Sequence, residues 1–162
     1  MTDPTEIAAN LVAFLQDIPE LVASMDGDAG AIAAFQDAYP ARNLQQAIHE
    51  MPVPGILIAW MSTELAGRGG DQEVWKHRFS LEMRVGEAKA DDAEGTARTY
   101  PALMRLVLSG EPATLGARNL PMIFQTVHDG CLPMDPPTPT RVQTPEGLEY
   151  FEFNILFADK EA

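Results

Sequence analysis

Trp75-Lys76-His77-Arg78-Phe79-Ser80-Leu81-Glu82-Met83-Arg84-Val85 places apolar or aromatic residues at every odd position except His77, and polar residues at every even one. In an extended chain successive side chains point to opposite faces, so this is an amphipathic β-strand. Trp75, Phe79, Leu81, Met83 and Val85 share one face; Lys76, Arg78, Ser80, Glu82 and Arg84 share the other. Upstream, Gly55-Ile56-Leu57-Ile58-Ala59-Trp60-Met61 is continuously apolar, the mark of a strand covered on both faces. Between the two strands, residues 64–73 are polar and contain Gly67, Gly69 and Gly70. The pair therefore predicts an antiparallel hairpin with a long loop.

Working toward the N-terminus, Asn43 predicts a helix cap, with Leu44, Ala47, Ile48 and Met51 on one face before Pro52 and Pro54 end the helix. Residues 32–38 form a short helical stretch in this reading. Asp26-Gly27-Asp28-Ala29-Gly30 is a turn, since glycine and aspartate favour positive φ and local side-chain hydrogen bonds. It is not a calcium loop: an EF-hand starting at Asp26 needs an oxygen ligand where Gly30 stands and a bidentate Glu where Asp37 stands. Asp3-Pro4-Thr5-Glu6 has the form of a capping box. Ile7, Leu11, Phe14, Leu15 and Ile18 then recur at helical spacing until Pro19 bends or restarts the helix, which continues to about Ser24.

Toward the C-terminus, Tyr100, Leu103, Met104 and Val107 form a helical stripe closed by Gly110. The short apolar piece 121–127 is a candidate strand. Residues 131–140 are extended, because closely spaced prolines restrict their own φ and the residue before each. Arg141-Val142-Gln143 and residues 148–157 flank Thr144-Pro145-Glu146-Gly147 and predict a terminal hairpin, with Phe151, Phe153, Ile155 and Phe157 on one face. The expected fold is a single α+β domain over residues 1–162, with an acidic helical segment (1–42) and an α+β core (43–162). Its sheet is largely antiparallel, with a long hairpin and helices packed on one face.

With 162 residues, 46 % hydrophobic and 22 % charged, the chain is long enough to bury one substantial core. Acidic side chains outnumber basic ones 24 to 11, a net charge of -13, which disfavours adhesion to phosphate backbones and argues against sequence-specific nucleic-acid binding. The first 41 residues hold seven acidic side chains and no Lys or Arg, so the N-terminal segment is either a solvated acidic face or a patch for a basic surface. Cys131 is the only cysteine, which excludes an intramolecular disulfide and fits a reducing compartment. The longest apolar run, 56–61, is far short of the ~20 residues that span a bilayer, and the start lacks a basic signal-peptide region. A soluble protein made in the cytoplasm, with no membrane partner, is expected.

No motif sets out a catalytic or ligand constellation. His49, His77 and His128 have no metal spacing; His77 falls in the inward register of its strand, and His49 on an exposed helix face. The Gly67-Arg68-Gly69-Gly70-Asp71 run lacks the Gly-Lys-Ser/Thr ending of a phosphate loop. His128-Asp129-Gly130-Cys131 brings a thiol near an imidazole, but local proximity is weak support for a thiolate nucleophile, and buried unreactive cysteine is the commoner role. No carboxylate pair stands in a sequence context that would raise one pKa above the other. No cofactor, no metal site and no enzymatic activity are expected.

From about Leu44 to Asp159 the pattern resembles the tail terminator or tail-completion proteins of long-tailed bacteriophages. The likeness is carried by residues 56–61 followed by a long hairpin into 75–85, by Tyr100-Pro101-Ala102-Leu103-Met104, and by Glu149-Tyr150-Phe151-Glu152-Phe153-Asn154-Ile155. It implies a structural virion protein at the head-proximal end of the tail, assembled into a ring that is hexameric in the family. The partners implied are other copies of this chain, the tail tube protein and the head connector or neck protein; DNA would pass through a lumen whose acidic walls repel phosphate. A heterologous interface whose rotation closes gives such a ring. Candidate interface residues are Trp60, Arg68, Trp75, Lys76, Arg78 and Arg84, the last three forming a basic row that would suit a neighbour's acidic helix beginning at Asp3. The alternatives are a monomeric ligand-binding or thiol enzyme domain using the Cys131 region, and a bacterial adaptor unrelated to phage.

Overall fold

A computed structural model of the chain describes residues 3–35, 43–69, 72–84, 114–115, 118–119, 131–133, 140–143 and 149–161. Helix α1 (Pro4–Gln16) starts at Asp3, whose carboxylate accepts from the Thr5 amide at 3.0 Å and the Thr5 hydroxyl at 2.7 Å. Proline at the first helical position has no amide to leave unsatisfied. Pro19 restarts the chain as α2 (Pro19–Ser24), as expected from the sequence. The chain then turns through Asp26 and Gly27, both at positive φ, and Asp28 accepts from the Gly30 amide at 2.9 Å. A helix of α1's length is marginal in water. Its Ile7, Leu11 and Leu15 are fully buried and Phe14 nearly so, and at roughly 2 kcal/mol each that burial, not propensity, holds the helix.

The helices lie on a six-stranded mixed sheet. Strand β1 (Ile32–Ala34) pairs in parallel with β2 (Gly55–Gly69), which pairs antiparallel with β3 (Gln72–Arg84). The short pair β4 (Thr114–Leu115) and β5 (Arg118–Asn119) forms a separate two-stranded sheet. Strands β6 (Cys131–Pro133) and β7 (Thr140–Gln143) both pair antiparallel with β8 (Glu149–Glu161), one near each end, while β3 occupies β8's other edge. The α+β class, the long hairpin and the predominantly antiparallel sheet follow the sequence reading.

Two hydrophobic clusters lie on opposite faces of the sheet. On the first, α1 and α2 cover Ile56 and Ile58 of β2, Phe79, Leu81 and Met83 of β3, and Phe153, Ile155 and Phe157 of β8. Phe79 and Phe157 meet edge to face with ring centres 5.6 Å apart, the arrangement that aromatic quadrupoles favour. On the second face α3 (Leu44–Glu50) brings Ala47, Ile48 and Met51 onto Leu57 and Tyr150. Asn43 caps this helix as predicted, accepting from the Gln46 amide at 2.9 Å. Thus α1 and α2 pack on one face as expected, and the short α3 covers part of the other, which explains why residues 56–59 read as continuously apolar.

Two expectations are corrected. The helix expected over residues 32–38 is instead a strand at 32–34, with Ile32 and Ala34 buried; pairing with residues 56–58 overrides the helical preference of an alanine-rich stretch. The long loop expected over residues 64–73 does not exist either. The ladder continues through Leu65↔Trp75 and Arg68↔Glu73 to Gly69↔Gln72, leaving only residues 70 and 71 between the strands. Register shifts at Met61 and Ala66 allow this. A bulge adds one residue to one strand and resets which face the following residues occupy. Glycines and polar residues in 62–69 therefore follow the register dictated by β3. The helix expected near 100–107, the strand near 121–127, Val85 and residues 134–139 lie outside the described residues.

Candidate functional site

Past Phe79 toward the hairpin turn, the first face of the sheet mixes buried and exposed side chains. His77 is fully buried, and its Nδ1 lies 2.8 Å from the Thr63 hydroxyl. Trp60 donates its indole N–H to the same hydroxyl at 2.9 Å, yet 37 % of its surface is open, as is 38 % of Leu65; Met61 at the bulge is 52 % exposed. Trp75, half-buried, donates its indole N–H to Glu73 at 3.2 Å, and Glu73 in turn pairs with exposed Arg68 at 3.4 Å. Each indole thus satisfies its polar atom within the arm, and Leu65 lies directly across from Trp75. Arg68 is a tip residue whose exposed ion pair contributes little.

Beyond Ile58 the outer edge of β2 has no partner strand among the described residues, because β1 spans only three positions. Unpaired backbone N–H and C=O groups along an edge are a template for another chain. Here that edge adjoins the exposed Trp60, Met61 and Leu65.

The second face carries the even-numbered row of β3, but not as one open basic stripe. Arg84, half-buried, donates to the carbonyl oxygens of Ile48 at 3.0 Å and His49 at 3.1 Å. It closes the C-terminal end of α3, where cations are favoured, and burial lowers its pKa. Ser80 and Glu82 of the same row are buried. Exposed Arg78 and half-buried Lys76 remain toward the hairpin end, and Arg78 lines a hollow of about 240 Å³ together with Asn154, Ile155 and Leu156.

Glu82 is the group that sequence reading missed. It is 1 % exposed, its Oε1 accepts from the Ser80 hydroxyl at 2.5 Å, and its Oε2 has no hydrogen-bond partner among the described residues. Its cross-strand neighbour on β8 is Glu152. Burial raises the Glu82 pKa from 4.5 to about 8; like-charge repulsion from Glu152 adds to this, and the Ser80 hydrogen bond opposes it. Tyr150, on the same face, is raised by burial and by both carboxylates. Buried beside a second carboxyl group, Glu82 keeps its proton near neutrality. A general acid must reach its substrate; the hollow on this face opens at Arg78, whereas Glu82 is sealed. A signal was present in the sequence: Leu57, in a run apolar on both faces, lies opposite Glu82, so whatever covers one also covers the other.

Among the described residues no group of three or more His, Cys, Asp or Glu could hold a metal ion, and no helix is long and apolar enough to cross a membrane. His49 is exposed, as expected. Cys131 lies on β6 opposite Asp159; its side chain and His128 are outside the described set. No family model matches the chain, and no curated protein matches it.

Proposed function

We propose that this chain is a structural ring protein that caps the tail tube of a long-tailed bacteriophage, halting tube growth and presenting a surface for head joining. The observation that carries self-assembly is the uncovered half of the hairpin. At ~3.3 Å per residue the 15 residues of β2 span roughly 50 Å, whereas the 13 residues of α1 span about 20 Å. Helix α1 is thus much shorter than β2. Trp60, Met61 and Leu65 stand exposed next to a strand edge that has no partner among the described residues, a surface suited to burial against another copy. The family resemblance supplies the rest of the reading: the tube end as target, the tube protein and neck as partners, and the virion as location.

The experiment is to add the purified chain to polymerising tail tube protein. Tubes should shorten as its concentration rises, mass photometry should show a closed oligomer, and electron microscopy should find it at one tube end. Tubes of unchanged length together with a monomer at every concentration would sink the reading.

A further inference from the structure

The charged side chains of the N-terminal helices are all acidic, whereas two cations, Lys76 and Arg78, stand on the opposite face of the sheet. From residue 3 to 35 the charged side chains are Asp3, Glu6, Asp17, Glu20, Asp26 and Asp28, with no Lys or Arg. Along α1 and its C-cap, exposed Glu6 and Asp17 fall on one stripe with half-buried Asn10 and exposed Ala13, since eleven residues make just over three whole turns and about 16 Å of rise. This stripe faces away from the sheet, because Ile7, Leu11, Phe14 and Leu15 occupy the buried side. On the opposite surface, the second face of the sheet, Arg78 stands exposed at the hollow it forms with Asn154, Ile155 and Leu156, and Lys76 lies two residues along the same row. Arg84 is engaged with α3. Glu64 is the cross-strand neighbour of Lys76, so Arg78 is the leading cation of the patch.

We propose that the Arg78–Asn154 hollow receives a carboxylate from the Glu6–Asp17 stripe of a second copy of this chain, joining subunits head to tail, helix layer against sheet. An Arg fork and an Asn amide supply the planar donors that a carboxylate accepts, and a hollow of about 240 Å³ has room for one acidic side chain. Since the two patches lie on opposite surfaces, each copy still offers a free patch after pairing. The contact is heterologous and propagates until it closes. This inference rests on the self-assembly reading and names its charged contact.

Mass photometry and sedimentation of the full chain over a range of salt concentrations provide the test. Wild type sets the reference: if it never assembles, alone or with tail tubes, the ring reading fails and this contact with it. If it assembles, Lys76→Glu/Arg78→Glu reverses the charge at the hollow, and Glu6→Lys/Asp17→Lys reverses that of the stripe. Each, folded by circular dichroism, should self-associate at least about tenfold more weakly, and an equimolar mixture should associate again because every junction then pairs opposite charges. Wild-type association of either variant alone, or a mixture no better than its components, overturns the contact while leaving the ring reading intact. Arg78→Gln removes the cation without reversing it, which covers a double variant that fails to fold; it should weaken assembly and reduce its salt sensitivity, and unchanged behaviour overturns the contact.

Discussion

Glu82 shows how one side chain can make a fold sensitive to pH. Its pKa is about 8 in the folded protein against an ordinary 4.5, so between those values the native state keeps a proton that the unfolded chain has lost. The native state then binds more protons, and stability falls as pH rises through that window. The shift sets an upper bound of about 5 kcal/mol. Glu82→Gln keeps the shape and an acceptor for Ser80 while removing the charge. Chemical unfolding followed by tryptophan fluorescence should find this variant more stable than wild type at pH 8, with the advantage vanishing near pH 4. General repulsion on an acidic chain has the same sign, so the difference between the two proteins is the diagnostic quantity; parallel pH profiles would disprove the assignment. Alternation alone predicts an outward Glu82, because it cannot say which stretch of a face is covered. Gly55 is a second local constraint: a Cβ there would overlap the Pro52 carbonyl oxygen, so Gly55→Ala should lower the melting temperature by several degrees, about 1–3 kcal/mol, without altering the pH profile.

At the scale of elements, legibility followed whichever force dominated locally. Helices α1 and α2 were readable because cap, prolines and apolar stripe coincide, and the β8 face because Phe151, Phe153, Ile155 and Phe157 alternate. Strand β1, the distal half of β2 and residues 72–74 of β3 were not, since their structure comes from pairing with another segment and not from their own composition. Residues 62–69 contain two glycines and few β-formers, yet their ladder with β3 runs to Gly69↔Gln72. Amide hydrogen exchange should therefore find Thr63 and Leu65 protected well above loop rates, as a paired strand requires; loop-like exchange throughout 62–69 would restore the long-loop reading. Likewise α3 is too short to stand alone and depends on its apolar face and on Arg84. Arg84→Met keeps the stem and removes both hydrogen bonds to the helix end. It should cost about 1–3 kcal/mol in urea unfolding, with Arg84→Lys intermediate because a point charge cannot reproduce the guanidinium fork.

For the whole molecule, the question is whether the exposed end of the hairpin is scaffold or interface, and the two tryptophans named from the sequence separate these roles. Trp60 is 37 % exposed and holds one hydrogen bond to Thr63, so Trp60→Glu removes about 1 kcal/mol of hydrogen bonding and leaves the core below it intact. Trp75 is half-buried and tied to Glu73, so Trp75→Glu also sets two carboxylates side by side and should destabilise more. Phe79, fully buried against Phe157, provides the unfolding control: Phe79→Glu buries an unpaired charge and should abolish cooperative folding. If the arm is an interface, Trp60→Glu stays folded, melts within a few degrees of wild type, and shifts the oligomer toward monomer by an order of magnitude or more in concentration, as hot-spot tryptophans do. If the arm is only scaffold, the same variant assembles like wild type. Since Trp60 lies on the helix-covered face of the sheet and Arg78 on the other, a double-mutant cycle between Trp60→Ala and Arg78→Gln should give additive losses in assembly, and strong coupling would mean that both patches belong to one contact.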